Sequence, residues 1–176
     1  MATIWYDSLV SWCNEFAIWT EDPDWSIIPI SPFVANFLLH GNKLHVVDFI
    51  CASVLDQAQY ILADPDFLPE DLLQLPRPSK EDFNWGCYFD LFTQSSNGLV
   101  IGWYAGSATG YGYQKRPGGL IGRILLYFPA TLQPTFSHER WLAGTLFPGS
   151  HPNFRKVADC GSRPQYHRIY TLIMEA

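Results

Sequence analysis

The sequence predicts an α+β protein, with helices first and a small antiparallel sheet after them. Three observations carry that expectation. Apolar residues recur at helical spacing through the first eighty residues. The segment Leu75-Pro76-Arg77-Pro78-Ser79 then breaks the pattern, because two prolines favour an extended, semi-rigid chain. Beyond it, two aromatic and apolar runs flank Gln94-Ser95-Ser96-Asn97-Gly98, which is turn chemistry, so this stretch reads as a β-hairpin.

Each element has its own signal. Trp5, Val10, Trp12, Phe16 and Trp19 recur as one helical face, ended by Glu21-Asp22-Pro23. Ser31-Pro32 resembles an N-cap with proline at the first helical position, opening Phe33 to Leu39, and Gly41 closes it. Val46 to Ala63 reads as one helix with Val46, Phe49, Ile50, Val54, Leu55 and Ile61 as its stripe, stopped by Pro65. Pro69-Glu70-Asp71 starts a short turn with acids placed well for a helix dipole. Cys87 to Thr93 and Leu99 to Tyr104 are the hairpin strands. Gly106 to Gly119 is a glycine-rich loop, Leu120 to Phe128 a short helix, and His167 to Met174 a final strand. His151-Pro152-Asn153 reads as loop. The expected division is a helical acidic region over 1–80 and an α+β domain over 81–176.

Bulk properties narrow the class. With 48% hydrophobic and 16% aromatic residues the chain has material for a core and is not of disordered composition. No apolar run approaches the roughly 18 residues of a membrane span. The start, Met1-Ala2-Thr3-Ile4-Trp5-Tyr6-Asp7, lacks the basic region of a signal peptide, so an intracellular protein (nucleus or cytoplasm) without a membrane partner is expected. Cys13, Cys51, Cys87 and Cys160 are scattered, with no CxxC pair, which argues for reduced thiols over zinc ligands or disulfides. Net charge is −6, unfavourable for a nucleic-acid partner, but the charge is uneven. Residues 1–80 hold 11 acids and 3 Lys/Arg, a balance of −8, whereas residues 81–176 hold 6 acids and 8 Lys/Arg, a balance of +2. The basic half is the half with the hairpin.

That half also holds a constellation. Gly86-Cys87-Tyr88 and Tyr104-Ala105-Gly106 lie on the two hairpin strands, and a turn centred near Ser96 sets Tyr88 opposite Tyr104. Arg123 and Tyr127, four apart, share a helix face bordering the apolar arc of Leu120, Ile121, Ile124, Leu125 and Phe128. Cleaving a phosphodiester requires a cation for the charged transition state, and the planar guanidinium suits phosphate oxygens. It also requires an oriented, deprotonated water, which a phenol can supply if a cation lowers its pKa from about 10. A metal ion, usually held by a carboxylate, assists the leaving oxygen. The stretch offers the cation and the phenols but no evident carboxylate. Any one of these residues alone is more simply a packing tyrosine or a solvated arginine.

Taken together, residues 84–128 resemble a GIY-YIG nuclease domain. Gly86-Cys87-Tyr88 stands at the first tripeptide, with Cys for the middle Ile, and Tyr104-Ala105-Gly106 stands at the second. Arg123-Ile124-Leu125-Leu126-Tyr127 has the family's spacing of Arg, three residues, then Tyr or His. The resemblance implies a three-stranded antiparallel sheet flanked by helices, and DNA strand hydrolysis with Mg²⁺ or Mn²⁺. Carried over by position, Tyr88 or Tyr104 would orient or deprotonate the water, Arg123 would stabilise phosphate charge, and Tyr127 would support that network. Gly106 would let the backbone turn beneath the substrate, and the longer loop with Lys115 and Arg116 would face DNA.

The family's metal-binding glutamate stands on a helix after the third strand. With that strand at His167–Met174 no such helix follows, and neither Glu139 nor Glu175 is at the required place, so the metal ligand is unassigned and a truncated or degenerate member is expected. Gly110-Tyr111-Gly112 is not a dinucleotide fingerprint, and Ser137-His138-Glu139-Arg140 is not a zinc-protease motif. Two alternatives stand beside the nuclease: a catalytically inactive nucleic-acid-binding or protein-interaction module on the same fold, and an unrelated α+β protein. The acidic N-terminal helices are a candidate surface for a protein partner.

Overall fold

The computed structural model describes residues 5–11, 14–15, 40–41, 43–108, 118–125 and 149–161. Residues 5–11 are helical. Helix α1 spans Lys43–Ser53 and α2 spans Asp56–Leu62, followed by a 3-10 turn over Pro69–Gln74. Strand β1 (Gly86–Gln94) is paired antiparallel on one side with β2 (Val100–Ala108) and on the other with β3 (Ser150–Asp159). Helix α3, Gly119–Leu125, lies between β2 and β3 in the chain. The architecture is α+β, with a three-stranded antiparallel sheet in the order β2-β1-β3.

The central strand is covered on both faces, as its unbroken burial from Gly86 to Phe92 requires. Cys87, Phe89 and Leu91 point to one face, into a cluster with Val46 and Ile50 of α1, Ala58 and Ile61 of α2, and Leu72 and Leu75. That cluster contains residues from both sides of the proline segment. Tyr88, one residue along from Cys87, points to the other face and packs with Ala108, Phe154, and Leu120 and Ile124 of α3.

Three features of the fold depart from the sequence expectations. The helix expected over Val46–Ala63 is broken at Val54-Leu55. Val54 bridges to Ala158, and Leu55 N–H donates to the Val157 carbonyl at 2.9 Å, so two residues leave the helix to cover the edge of β3. Lys156 N–H likewise donates to the Pro76 carbonyl at 2.8 Å, docking the proline segment on the same edge. The third strand lies at Ser150–Asp159 and includes His151-Pro152-Asn153, which the sequence reads as loop. Proline is tolerated there because β3 is an edge strand. Strand β2 also continues through Gly106 to Ala108, where a loop was expected. The helix expected over Phe33–Leu39 and the strand expected over His167–Met174 lie outside the described residues.

No helix of the described residues is long and apolar enough to cross a membrane. Cys51, Cys87 and Cys160 are free thiols, and burial pushes Cys160 up to about 12, so it behaves as a core residue.

Candidate active site

The hairpin turn is the first determinant of the site. Gly98 N–H donates to the Gln94 carbonyl and Gln94 N–H to the Leu99 carbonyl, both at 2.8 Å, with Gly98 at φ 73°. The resulting register sets Tyr88 opposite Gly106 and Asp90 opposite Tyr104, which corrects the expected direct pairing of Tyr88 with Tyr104. The shift is by two residues, so the side-chain alternation is preserved and the two tyrosines still share a face.

Gly106 shows how close they come. A Cβ there would lie 2.5 Å from Tyr88 Cζ, 2.6 Å from Tyr88 Oη and 2.9 Å from Tyr104 Cε1. Both rings therefore rest against the glycine. Its place is in an extended strand, so what it supplies is room for two phenol rings, and the backbone turn expected at this position is absent. Tyr88 is 1% exposed, held by Phe154 with ring centroids 5.6 Å apart. Tyr104 is half-buried and is the tyrosine that solvent reaches. Gly106→Ala is expected to cost about 1–3 kcal/mol by overpacking, since Tyr88 has no free direction to move. A melting curve and the near-UV tyrosine dichroism check it: an unchanged midpoint and spectrum would mean the rings do not meet over Gly106. Gly86 has a separate reason to be glycine, because a Cβ there would run into the Ala158 carbonyl beside the β1–β3 bulge.

A carboxylate absent from the sequence reading joins this face. Asp90 lies two residues from Tyr88, between Tyr104 on β2 and Phe154 on β3, and is 2% exposed. Its Oδ1 accepts from the Asn153 N–H at 3.0 Å. The signal was present in the sequence: an acid at i+2 in an aromatic strand shares the tyrosine's face.

Helix α3 closes the face and carries Arg123. Leu120 and Ile124 are buried over Tyr88, while Arg123 is exposed at the flank of that stripe; Leu125, expected in the apolar arc, is 47% exposed. The helix start is clamped: Leu120 and Ile121 N–H groups donate at 2.9 Å to the carbonyls of Asn84 and Asp82. Those two residues are tied to β3, because Lys156 Nζ contacts Asp82 Oδ1 at 2.6 Å and Asp159 Oδ2 at 2.8 Å, and the Asn84 amide donates to Asp159 Oδ1 at 2.9 Å. This network, which the sequence did not disclose, positions Arg123 relative to the sheet.

The network sets a pH dependence. Burial pulls the Asp82 and Asp159 carboxyls upward, but the Lys156 ammonium and neighbouring N–H donors outweigh it and hold both below the usual range. Burial pulls Lys156 downward, but its two carboxylates outweigh that and raise it. The carboxylates contribute stability above about pH 4 that is lost as pH falls through their lowered values. The ammonium contributes below about pH 10 and loses its share as pH rises through its raised value. Lys156→Ala leaves two acids facing each other and is expected to cost about 1–3 kcal/mol at pH 7. The deficit should shrink on acidification below about pH 4. Denaturant midpoints measured across pH test this, and a deficit independent of pH would refute the pairing.

No family model, curated protein or solved structure matches this chain.

Tyr88, Tyr104, Gly86 and Gly106 are thus brought together on the sheet, and Arg123 stands on the helix that covers it. Tyr127, Lys115, Arg116, Glu139 and Glu175 lie outside the described residues. The third strand ends at Asp159, so the place expected for a metal-bearing helix falls after that residue, in sequence beyond the described segment. Among the described residues no three His, Cys, Asp or Glu side chains gather. Asp90 is enclosed and bonded to Asn153, so these residues by themselves do not form a cradle for Mg²⁺ or Mn²⁺.

Proposed function

We propose that this chain is a GIY-YIG-type endonuclease that hydrolyses DNA phosphodiester bonds. The observation that supports this most is the convergence of Tyr88, Asp90 and Tyr104 on one sheet face around Gly106, beneath the helix that carries Arg123. Arg123, exposed, would take the scissile phosphate with its guanidinium and oppose the charge that develops there. Tyr104, the accessible phenol, would orient the attacking water. Tyr88, sealed beneath α3, would hold the Tyr104 ring and close the site from below. Asp90 would keep the β1–β3 junction polar and satisfied through Asn153.

A second reading, a binding module without catalysis, is favoured by the enclosure of Tyr88 and Asp90. One experiment separates the two. Supercoiled plasmid is incubated with the protein and Mg²⁺ or Mn²⁺, the ions that the resemblance implies, and with EDTA as the control. Nicking that EDTA abolishes is expected. Retention of DNA without nicking would replace the nuclease with the binding module, and neither nicking nor retention would remove both.

A further inference from the structure

Beside the site lies a cleft of about 370 Å³, at the low end of the size range of small-ligand pockets. Arg77 of the proline segment lines it, with Asn153 and His151 of β3. Pro152, Phe154 and Ile124 make an apolar wall. Among the described residues no acid lines the cleft.

Arg77 is exposed and makes no ion pair among the described residues, and its charge acts on Arg155, 6% exposed, in the adjoining position of β3. Burial first, and then Arg77, disfavour the Arg155 cation. Among the described residues its Nε has no hydrogen-bond partner, and its Nη1 donates to the Phe154 carbonyl at 3.4 Å. The arginine fork suits phosphate above other anions, and an apolar wall beside it suits a sugar or base.

A Ser95–His151 pair at the end of the cleft is not a competing nucleophile. Ser95 Oγ lies 2.6 Å from the Gly149 carbonyl, to which it donates, so His151 Nε2, 2.9 Å away, must donate to the oxygen and cannot take its proton.

We infer that this cleft binds one nucleotide unit, its phosphate on Arg77 and its sugar or base against Pro152, Phe154 and Ile124. Phe154 also packs on Tyr88, and Ile124 follows Arg123, so the cleft adjoins the candidate active site. The inference rests on the nuclease reading for its choice of a strand over a free nucleotide. Binding without cleavage tests it: the full chain is titrated in EDTA against a labelled single-stranded oligonucleotide by fluorescence anisotropy, with thymidine monophosphate and inorganic phosphate as competitors. Arg77→Ala is expected to weaken binding about tenfold and to reduce the salt slope by about 0.7. Asn153→Asp, an isosteric change that adds a negative charge, should also weaken it, and melting curves verify that both variants are folded. Oligonucleotide binding insensitive to both substitutions would overturn the cleft while leaving the nuclease reading intact. Monophosphate binding that depends on Arg77, with no oligonucleotide binding, would support the cleft and refute the nuclease. Binding of neither would overturn the cleft, as would competition by inorganic phosphate equal to that of the monophosphate.

Discussion

Gly119→Ala is expected to lower the melting midpoint by about 10 °C, from a loss of roughly 3–4 kcal/mol. The residue opens α3 at φ 65°, a conformation that costs an L-residue about 1–2 kcal/mol. The larger part is steric. An added Cβ would run into the backbone carbonyls of Phe83 and Asn84. Those atoms have little freedom to retreat, because the Asn84 and Asp82 carbonyls accept from Leu120 and Ile121, and Asp82 and Asn84 are anchored through Lys156 and Asp159. The helix must then lift from the sheet and expose Leu120, Ile124 and the Tyr88 ring beneath them. Thermal unfolding with near-UV dichroism is the measurement. A midpoint within a degree of wild type would show that α3 does not start against the 82–84 segment.

Arg123→Ala is expected to reduce plasmid nicking about 10²–10³-fold, the size of effect seen when a donor to a developing oxyanion is removed. The fall should be in kcat more than in KM, because the interaction strengthens as charge gathers on the phosphate. Arg123→Lys should recover only part of it, since an ammonium keeps the charge and loses the fork. The side chain is exposed, so neither variant should shift the melting midpoint by more than about a degree, within the small range of surface substitutions. That separates a catalytic loss from a folding loss. Equal nicking by wild type and Arg123→Ala would end the assignment of Arg123, and with it the nuclease reading.

Particular residues show where sequence reasoning reached and where it stopped. The α+β class, the hairpin and the short helix were readable because each rests on neighbours in the chain: apolar spacing, turn residues between aromatic runs, proline punctuation. The sharing of a face by Tyr88 and Tyr104 was also readable, because a two-residue error in register preserves alternation. The role of Gly106 was not, since its reason lies in two rings from different strands. Asp90 is within reach of the strand period, because it stands two residues from Tyr88 on the same face. The strand at Ser150–Asp159 is not legible at His151-Pro152-Asn153, because Pro152 argues against a central strand and says nothing about an edge. The break at Val54-Leu55 had no local cause at all; its cause is the edge of β3, roughly a hundred residues away in sequence.

By itself the sequence determined what short-range rules determine: which segments are helical or extended, which residues share a face, and where the charge is unequal. Tertiary structure decided what depends on residues distant in the chain. It placed Asp90 between Tyr104 and Phe154, clamped the helix of Arg123 through Asp82, Asn84 and Lys156, and brought Arg77 to one cleft with Asn153 and Phe154. The division has a physical reason. Periodicity and turn preference act over a few residues, whereas electrostatic pairing and steric exclusion act through space, on groups that only folding brings together.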